Sequence, residues 1–248
     1  MIERLNAALI SRRFVKAISG IDCFDSAMVR FTAEAALAGG ADAIDVAAAP
    51  ELVAAAREAA PGLTVFASSV VPEVLVASGA DVLEIGNYDA LYRDGVAPTR
   101  EEILEWTRRT VALARPGVPV CVTLPGRASL AESIDLAVQL QAAGASLLQV
   151  EGILDYPDSS LASSLRAMAD ALQVLSAVSG VVEIPVFLAG GVDPLSAPHA
   201  IASGACGIGI GRALRASGSV EAGAEMLRTL RLSMDRVGNP GRGLRLGA

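Results

Sequence analysis

The 248-residue chain is 52% apolar, 4% aromatic and 19% charged, enough apolar mass for one sizeable core and too little polarity for a disordered chain. Three cysteines without CxxC spacing exclude a disulfide scaffold, and a single histidine argues against a Cys/His metal site. A net charge of −7 gives no basic field to hold nucleic acid or anionic lipid, so a small molecule is the expected partner.

The chain opens on MIERLNAALISRRF, an amphipathic helix pattern carrying Glu3 and no apolar stretch of the kind that signals secretion. Gly, Pro, Asp, Glu or Arg interrupts every later apolar run before the roughly 18 residues a membrane span needs. A cytoplasmic protein is expected. The first strand is VKAISG (15–20), followed by the loop GIDCFDSA, in which Asp25 suits a helix N-cap, Asp22 stands near the strand end and Cys23 is a candidate exposed thiol. Further apolar runs follow at AIDVAA (43–48), LTVFASS (63–69), DVLEIGN (81–87), VPVCVTLPG (118–126), SLLQVEG (146–152), IPVFLAGG (184–191) and GIGIG (207–211). Ala-rich stretches with apolar residues at i, i+3, i+4 and i+7 lie between them and close on Gly. The phrases GGADAIDV, SGADVLEI, AGASLLQV and SGACGIGI repeat one unit, a helix end, a Gly-Ala turn and a buried strand.

Eight strands alternating with helices over this length predict an α/β fold, a single (β/α)8 TIM barrel with an N-terminal helix, spanning 1–248 as one domain with a flexible tail over 236–248. A doubly wound open sheet would want GxGxxG after its first strand, which is missing.

Strand parity locates the chemistry. If Ile44, Val46, Leu83, Ile85, Val120, Val122, Leu148 and Val150 face the helices, then Asp45, Glu84, Thr123, Gln149 and Glu151 turn inward. A purely structural barrel core prefers branched apolar residues there. Lys16 sharpens the pattern: of 20 Lys and Arg residues it is the one Lys, and it stands inside an apolar strand. An ammonium can give up its proton and a guanidinium cannot, so Lys suits Schiff-base or proton-transfer work, while a structural ion pair is the plainer role. AGGVDP (189–194) and GIGIGRAL (207–214) place Gly190, Gly191, Gly211 and the amide of Arg212 at the ends of strands seven and eight, where barrels hold phosphate. His199, Trp106 and Met168 fall on helices as surface or packing residues; Cys121 and Cys206 read as small hydrophobes. Asp155, Tyr156 and Asp158 populate a longer loop that could act as a lid.

KAISGIDCFD, GGADAIDVAAAPELV, SSVVPE, LEIGNYDALY, VEG and GVDPLSAPHAIASGACGIGIG together resemble the uncharacterised family of the hypothetical chloroplast reading frame twenty-three, over about residues 8 to 215. The resemblance implies a TIM barrel and carries no settled reaction. It gathers Lys16, Ser19, Gly20, Asp45, Ser68, Ser69, Glu84, Gly86, Asn87, Glu151 and Gly152 at corresponding positions, whereas Ile153 stands where a second Gly is expected. With the parity argument it makes Ser19, Ser68, Asn87, Thr123 and Gln149 candidate substrate contacts, and Lys16, Asp45, Glu84 and Glu151 candidate catalytic groups.

The leading expectation is a lyase, aldolase or synthase acting on a small phosphorylated metabolite, with Lys16 as Schiff-base nucleophile or proton donor. An FMN-binding oxidoreductase using the same glycine-rich strand ends is one alternative, and a non-catalytic ligand-binding barrel is another. Mg²⁺ held by the inward carboxylates is a further option.

Overall fold

The computed structural model describes residues 2–86, 88, 91–92, 95–152 and 161–237. Each apolar run becomes a parallel strand: β1 Phe14–Ile18, β2 Ala43–Ala47, β3 Thr64–Ser68, β4 Val82–Ile85, β5 Val120–Leu124, β6 Leu147–Glu151, β7 Val186–Ala189 and β8 Gly207–Ile210. They pair in chain order and β8 closes on β1, giving the expected eight-stranded barrel. The described helices are α1 Ile2–Ile10, α2 Ser26–Gly39, α3 Pro50–Ala59, α4 Pro72–Ala77, α5 Arg100–Leu113, α6 Leu130–Ala142, α7 Leu161–Ser179, α8 Ala197–Ala202, α9 Arg212–Arg215 and α10 Val220–Asp235. Asp25 caps α2 as expected, accepting from the amide of Ala27 at 2.9 Å. Among the described residues no helix is long and apolar enough to cross a membrane. The lid candidates Asp155, Tyr156 and Asp158, the departure at Ile153, and the tail beyond 237 lie outside the described residues.

The fourfold sequence repeat has a structural cause. Gly40-Ala41-Asp42, Gly79-Ala80-Asp81, Gly144-Ala145-Ser146 and Gly204-Ala205-Cys206 stand directly before the even strands β2, β4, β6 and β8. Each Gly adopts the left-handed conformation that ends the preceding helix. The third residue then fastens the strand about to start onto the strand before it. The amides of Asp42, Asp81, Ser146 and Cys206 donate to the carbonyls of Val15, Val65, Val120 and Val186 at 2.8–2.9 Å. In three copies the side chain returns the bond: Asp42 accepts from the Val15 amide at 2.9 Å, Asp81 from Val65 at 2.8 Å and Ser146 from Val120 at 3.4 Å. Arg231 pairs with Asp42 and Arg57 with Asp81, so both clamp carboxylates have a cation. The repeat is therefore a register device at the foot of the barrel.

Strand parity holds throughout. Val15, Ala17, Ile44, Val46, Leu83, Ile85, Val120, Val122, Leu148 and Val150 join the apolar layer shared with the helices. Phe14, Ala43, Phe66, Val82, Cys121, Leu147, Phe187 and Cys206 form a separate cluster with Leu5, Ala8 and Leu9 of α1. The N-terminal helix thus plugs the lower end, over an aromatic floor in which the Phe14 ring meets Phe66 at 6.0 Å and Phe187 at 5.3 Å. Above that floor the interior changes character. Register and parity put Asp45, Glu84, Gln149 and Gly209 inward from the even strands, and Ser68, Thr123 and Ala189 inward from the odd strands toward their carboxyl ends. Small and polar side chains occupy the half of the barrel where function gathers in this architecture.

Candidate active site

Lys16 rises from the aromatic floor at the middle of β1. Its side chain is fully buried, and Nζ donates to Glu84 Oε2 at 2.5 Å, a pair in which both side chains are wholly shielded from water. The ammonium also stands 5.0 Å from the centroid of the Phe66 ring and 4.9 Å from that of Phe187, a distance at which aromatic faces attract a cation. Burial alone pulls an ammonium toward the neutral amine. Here the charge of Glu84, followed by that of Asp45, outweighs it and holds the Lys16 pKa above the ordinary lysine value. Lys16 is a cation at neutral pH.

Around this pair the other inward groups are hydrogen-bonded. Ser68 Oγ donates to Asp45 Oδ1. Gln149 Nε2 donates to Thr123 Oγ1 at 3.0 Å. Ser19 is buried, and both its amide and its hydroxyl donate to the Asp45 carbonyl, at 2.9 and 2.8 Å, so Ser19 fixes the β2 end. The Cys121 thiol faces the same centre, where burial and the nearby Glu84 push its pKa well up and keep it protonated. Cys206, lower in the barrel, is pushed up to about 12 by burial. Both thiols behave as small hydrophobes, as their apolar segments suggest.

Of the four expected catalytic groups, Lys16, Glu84 and Asp45 come together. Glu151 ends β6, almost buried, and borders a cleft of about 380 Å³ that Arg127, Ser129 and Asp170 also line. Asn87 lies outside the described residues. Among the described residues no three His, Cys, Asp or Glu side chains converge on a metal position, and Glu84 is engaged by Lys16.

The glycine-rich end forms at β6 to β8. Gly190 follows β7 with φ +81°, and a Cβ there would stand 2.9 Å from the Gly152 amide nitrogen and carbonyl oxygen, so two bare backbones meet at the tops of β6 and β7. Gly191 is exposed beside it, and Gly211 precedes Arg212 at the start of α9. The Arg212 side chain is exposed. The guanidinium turned toward this rim belongs instead to Arg215, whose Nη1 donates to the carbonyls of Ile18 at 2.9 Å and Ser19 at 3.0 Å beside Gly211. The sequence pattern does not single out Arg215, although its spacing of one helical turn from Gly211 is a readable signal. His199 is exposed on α8 and Cys23 is half-buried in the β1–α2 loop.

Tyr88 is the second residue not anticipated. It follows Gly86, which has φ +150° and presses so closely on β5 that a Cβ would overlap the Thr123 side chain. Gly86 therefore lies tight beside Thr123 on the neighbouring strand. Tyr88 is fully buried, and burial, then the charges of Glu151, Tyr92 and Glu84, push its pKa well above the ordinary tyrosine value.

Comparison with known proteins bears on these features. The family model described as "Protein of unknown function (DUF561)" matches residues 1–237. The "Uncharacterized protein ycf23" of Cyanophora paradoxa is 31% identical over 241 residues, covering 96% of this chain and 98% of the relative. Among solved structures, a 3-hexulose-6-phosphate synthase superposes with a TM-score of 0.64 at 17% identity, over 89% of this chain and 99% of its own. A truncated 3-deoxy-D-arabino-heptulosonate 7-phosphate synthase from Thermotoga maritima gives a TM-score of 0.63 at 17% identity, over 90% and 86%. At these identities the two synthases share the fold with this chain.

Proposed function

Since the chain belongs to the family described as DUF561, whose description assigns no activity, its chemistry has to be read from the barrel itself, and we propose that it is an aldolase-like lyase or synthase acting on a small phosphorylated metabolite. The observation that carries this reading is the fully buried Lys16–Glu84 pair with Asp45 beside it, in the half of the barrel that faces the strand ends. Two carboxyl groups face one ammonium, so the centre can hold a proton as well as a positive charge. That is the equipment for carbon–carbon cleavage without an imine. A carboxylate takes the proton of a substrate hydroxyl, the adjacent carbon–carbon bond breaks as that oxygen becomes a carbonyl, and its electron pair passes into the neighbouring carbonyl to give an enolate. The ammonium of Lys16 meets the charge developing on the enolate oxygen, and synthesis is the reverse.

An imine needs a neutral amine, and the environment of Lys16 favours the ammonium. The charge-stabilising role is therefore preferred over the Schiff base. Gly190, Gly191, Gly211 and the Arg212 amide, with the Arg215 guanidinium at their edge, would hold the phosphate. The fold neighbours named as synthases of sugar phosphates support the same substrate class by analogy.

The test is incubation of the purified chain with a panel of keto and aldehyde phosphates, read by mass spectrometry for carbon–carbon cleavage or joining, with and without borohydride. Turnover by the wild type, its loss in Lys16→Met and no borohydride-dependent mass on Lys16 are expected. A trapped adduct on Lys16 would replace the charge-stabilising role with the imine. Equal turnover by Lys16→Met would remove the catalytic reading of the centre.

A further inference from the structure

The Tyr88 hydroxyl is fully buried and, among the described residues, has no hydrogen-bond partner. A shielded polar group left this way costs as much as a lost hydrogen bond, so a native structure that keeps one invites a reason. Packing does not supply it. The ring packs against Tyr92, 6.5 Å between centroids, and phenylalanine would fill the same space without the oxygen. Position supplies one. Tyr88 stands three residues beyond β4, at the carboxyl end of that strand, and the carboxylates whose charges act on its hydroxyl are Glu151, at the end of β6, and Glu84, the partner of Lys16. The phenol is a donor that stays protonated, and these two carboxylates are acceptors.

A ligand between a fixed donor and fixed acceptors must do both jobs. A carbonyl, carboxylate or phosphate oxygen could accept from Tyr88, but would meet the carboxylates with lone pairs on both sides. An alcohol accepts from the phenol through its oxygen and donates its own proton to a carboxylate. We propose that Tyr88 is a substrate-binding residue that donates a hydrogen bond to a hydroxyl of a polyhydroxylated, sugar-like substrate whose proton goes to Glu151 or Glu84. The assignment rests on the proposed function for the phosphate end of the ligand and deepens it by naming the carbon chain.

Tyr88→Phe tests it, since only the oxygen is removed. With the full chain, binding is measured by calorimetry using three probes: ribose 5-phosphate, ribose without the phosphate, and propyl phosphate without the hydroxyls. The wild type is expected to prefer ribose 5-phosphate to both others, and Tyr88→Phe to bind it about fivefold to tenfold more weakly while binding propyl phosphate as the wild type does. The variant without ligand should melt no lower than the wild type, because an unpartnered hydroxyl has been deleted. Equal binding of ribose 5-phosphate by Tyr88→Phe and wild type overturns the assignment and leaves the phosphate site standing. Tyr88-dependent binding of ribose that the phosphate does not strengthen supports Tyr88 and removes the phosphate reading. A ligand-free melting point lower by roughly 2–4 °C or more would show that the hydroxyl has a structural partner, and overturns the assignment, as does failure of all three probes to bind.

Discussion

Removing Lys16 should be far more damaging than removing Lys16 and Glu84 together. In Lys16→Met the linear side chain is replaced at similar length, the aromatic contacts with Phe66 and Phe187 persist, and what disappears is the positive charge 2.5 Å from Glu84. Neither partner has any exposure, so no solvent is at hand to take over. Breaking a buried pair from one side costs about 3–5 kcal/mol, a large share of the ~5–15 kcal/mol that separates folded from unfolded domains. At this chain length that corresponds to roughly 6–20 °C in melting temperature. The double variant Lys16→Met/Glu84→Met leaves no uncompensated charge and should recover to within about 1–2 kcal/mol of wild type, since apolar replacements of buried pairs are often neutral. Urea unfolding of the wild type, both single variants and the double gives the coupling directly. The sign of the pH dependence is a second check. The raised Lys16 pKa places the pair's contribution in full below about 10.4, the ordinary lysine value, and loses it only at higher pH, so wild-type stability should fall above about pH 10.4 and that of the double variant should not fall with it. Single variants that each cost under about 1 kcal/mol and add up in the double would refute the buried pair.

The register clamps predict a rank order in the same unfolding assay. Asp42→Ala strips the acceptor from the buried Val15 amide and the partner from Arg231, and should cost about 1–3 kcal/mol, with Asp81→Ala close behind; Ser146→Ala, at 3.4 Å, should cost less than either. An equal cost for Ser146→Ala would contradict the clamp. Gly86→Ala should cost more than Gly40→Ala, although both positions carry positive φ, because an added Cβ overlaps the Thr123 side chain in the first case and meets open space in the second. Equal melting temperatures for these two variants would show that Gly86 does not pack tightly against Thr123.

The strands are legible because a parallel sheet covered by helices writes itself as short apolar runs, each closed by a turn signal, and all eight fall within a few residues of those runs. Alternation then exposes Asp45, Glu84, Thr123 and Gln149, since a polar side chain flanked by two helix-facing aliphatics has only the interior left. The first strand starts at Phe14, one residue before the expected run, because Phe14 belongs to the floor that α1 covers and its role depends on a helix docking from below. Tyr88 and Arg215 are hidden for a related reason. An aromatic two residues past a glycine, or an arginine one turn into a short helix, looks like ordinary packing or solvation until burial near Glu151 and Glu84, or a fold-back onto the Ile18 and Ser19 carbonyls, gives it a neighbour distant in sequence. The position of Glu151 is similarly out of reach: parity turns it toward the interior, but its level, at the very end of β6 beside an outer cleft, is set by the tilt of the whole barrel.

What Lys16 does for stability does not explain why it is there. Where a fixed charge is wanted nearer the surface, this fold uses arginine: Arg13 with Asp235, Arg30 with Glu58, Arg57 with Asp81, Arg228 with Glu225 and Arg231 with Asp42 all have at least one side chain partly open to solvent. A guanidinium keeps its proton under all ordinary conditions, which suits a structural charge. Among the described residues, the ion pair sealed from water on both sides uses the chain's one lysine. Apolar residues of similar volume would fill that position at little or no cost in stability, and the layer beneath it, Phe14, Phe66 and Phe187, shows that this interior accepts large apolar side chains. A packing requirement would therefore have been met by extending the floor upward. Instead the floor stops at Lys16. The groups above it are carboxylates, an amide and hydroxyls, which exchange or orient protons, and glycines, which let neighbouring backbones and side chains approach closely. The change from aromatic to polar lining along one barrel axis thus falls at the ammonium, the level at which the proposed chemistry would begin.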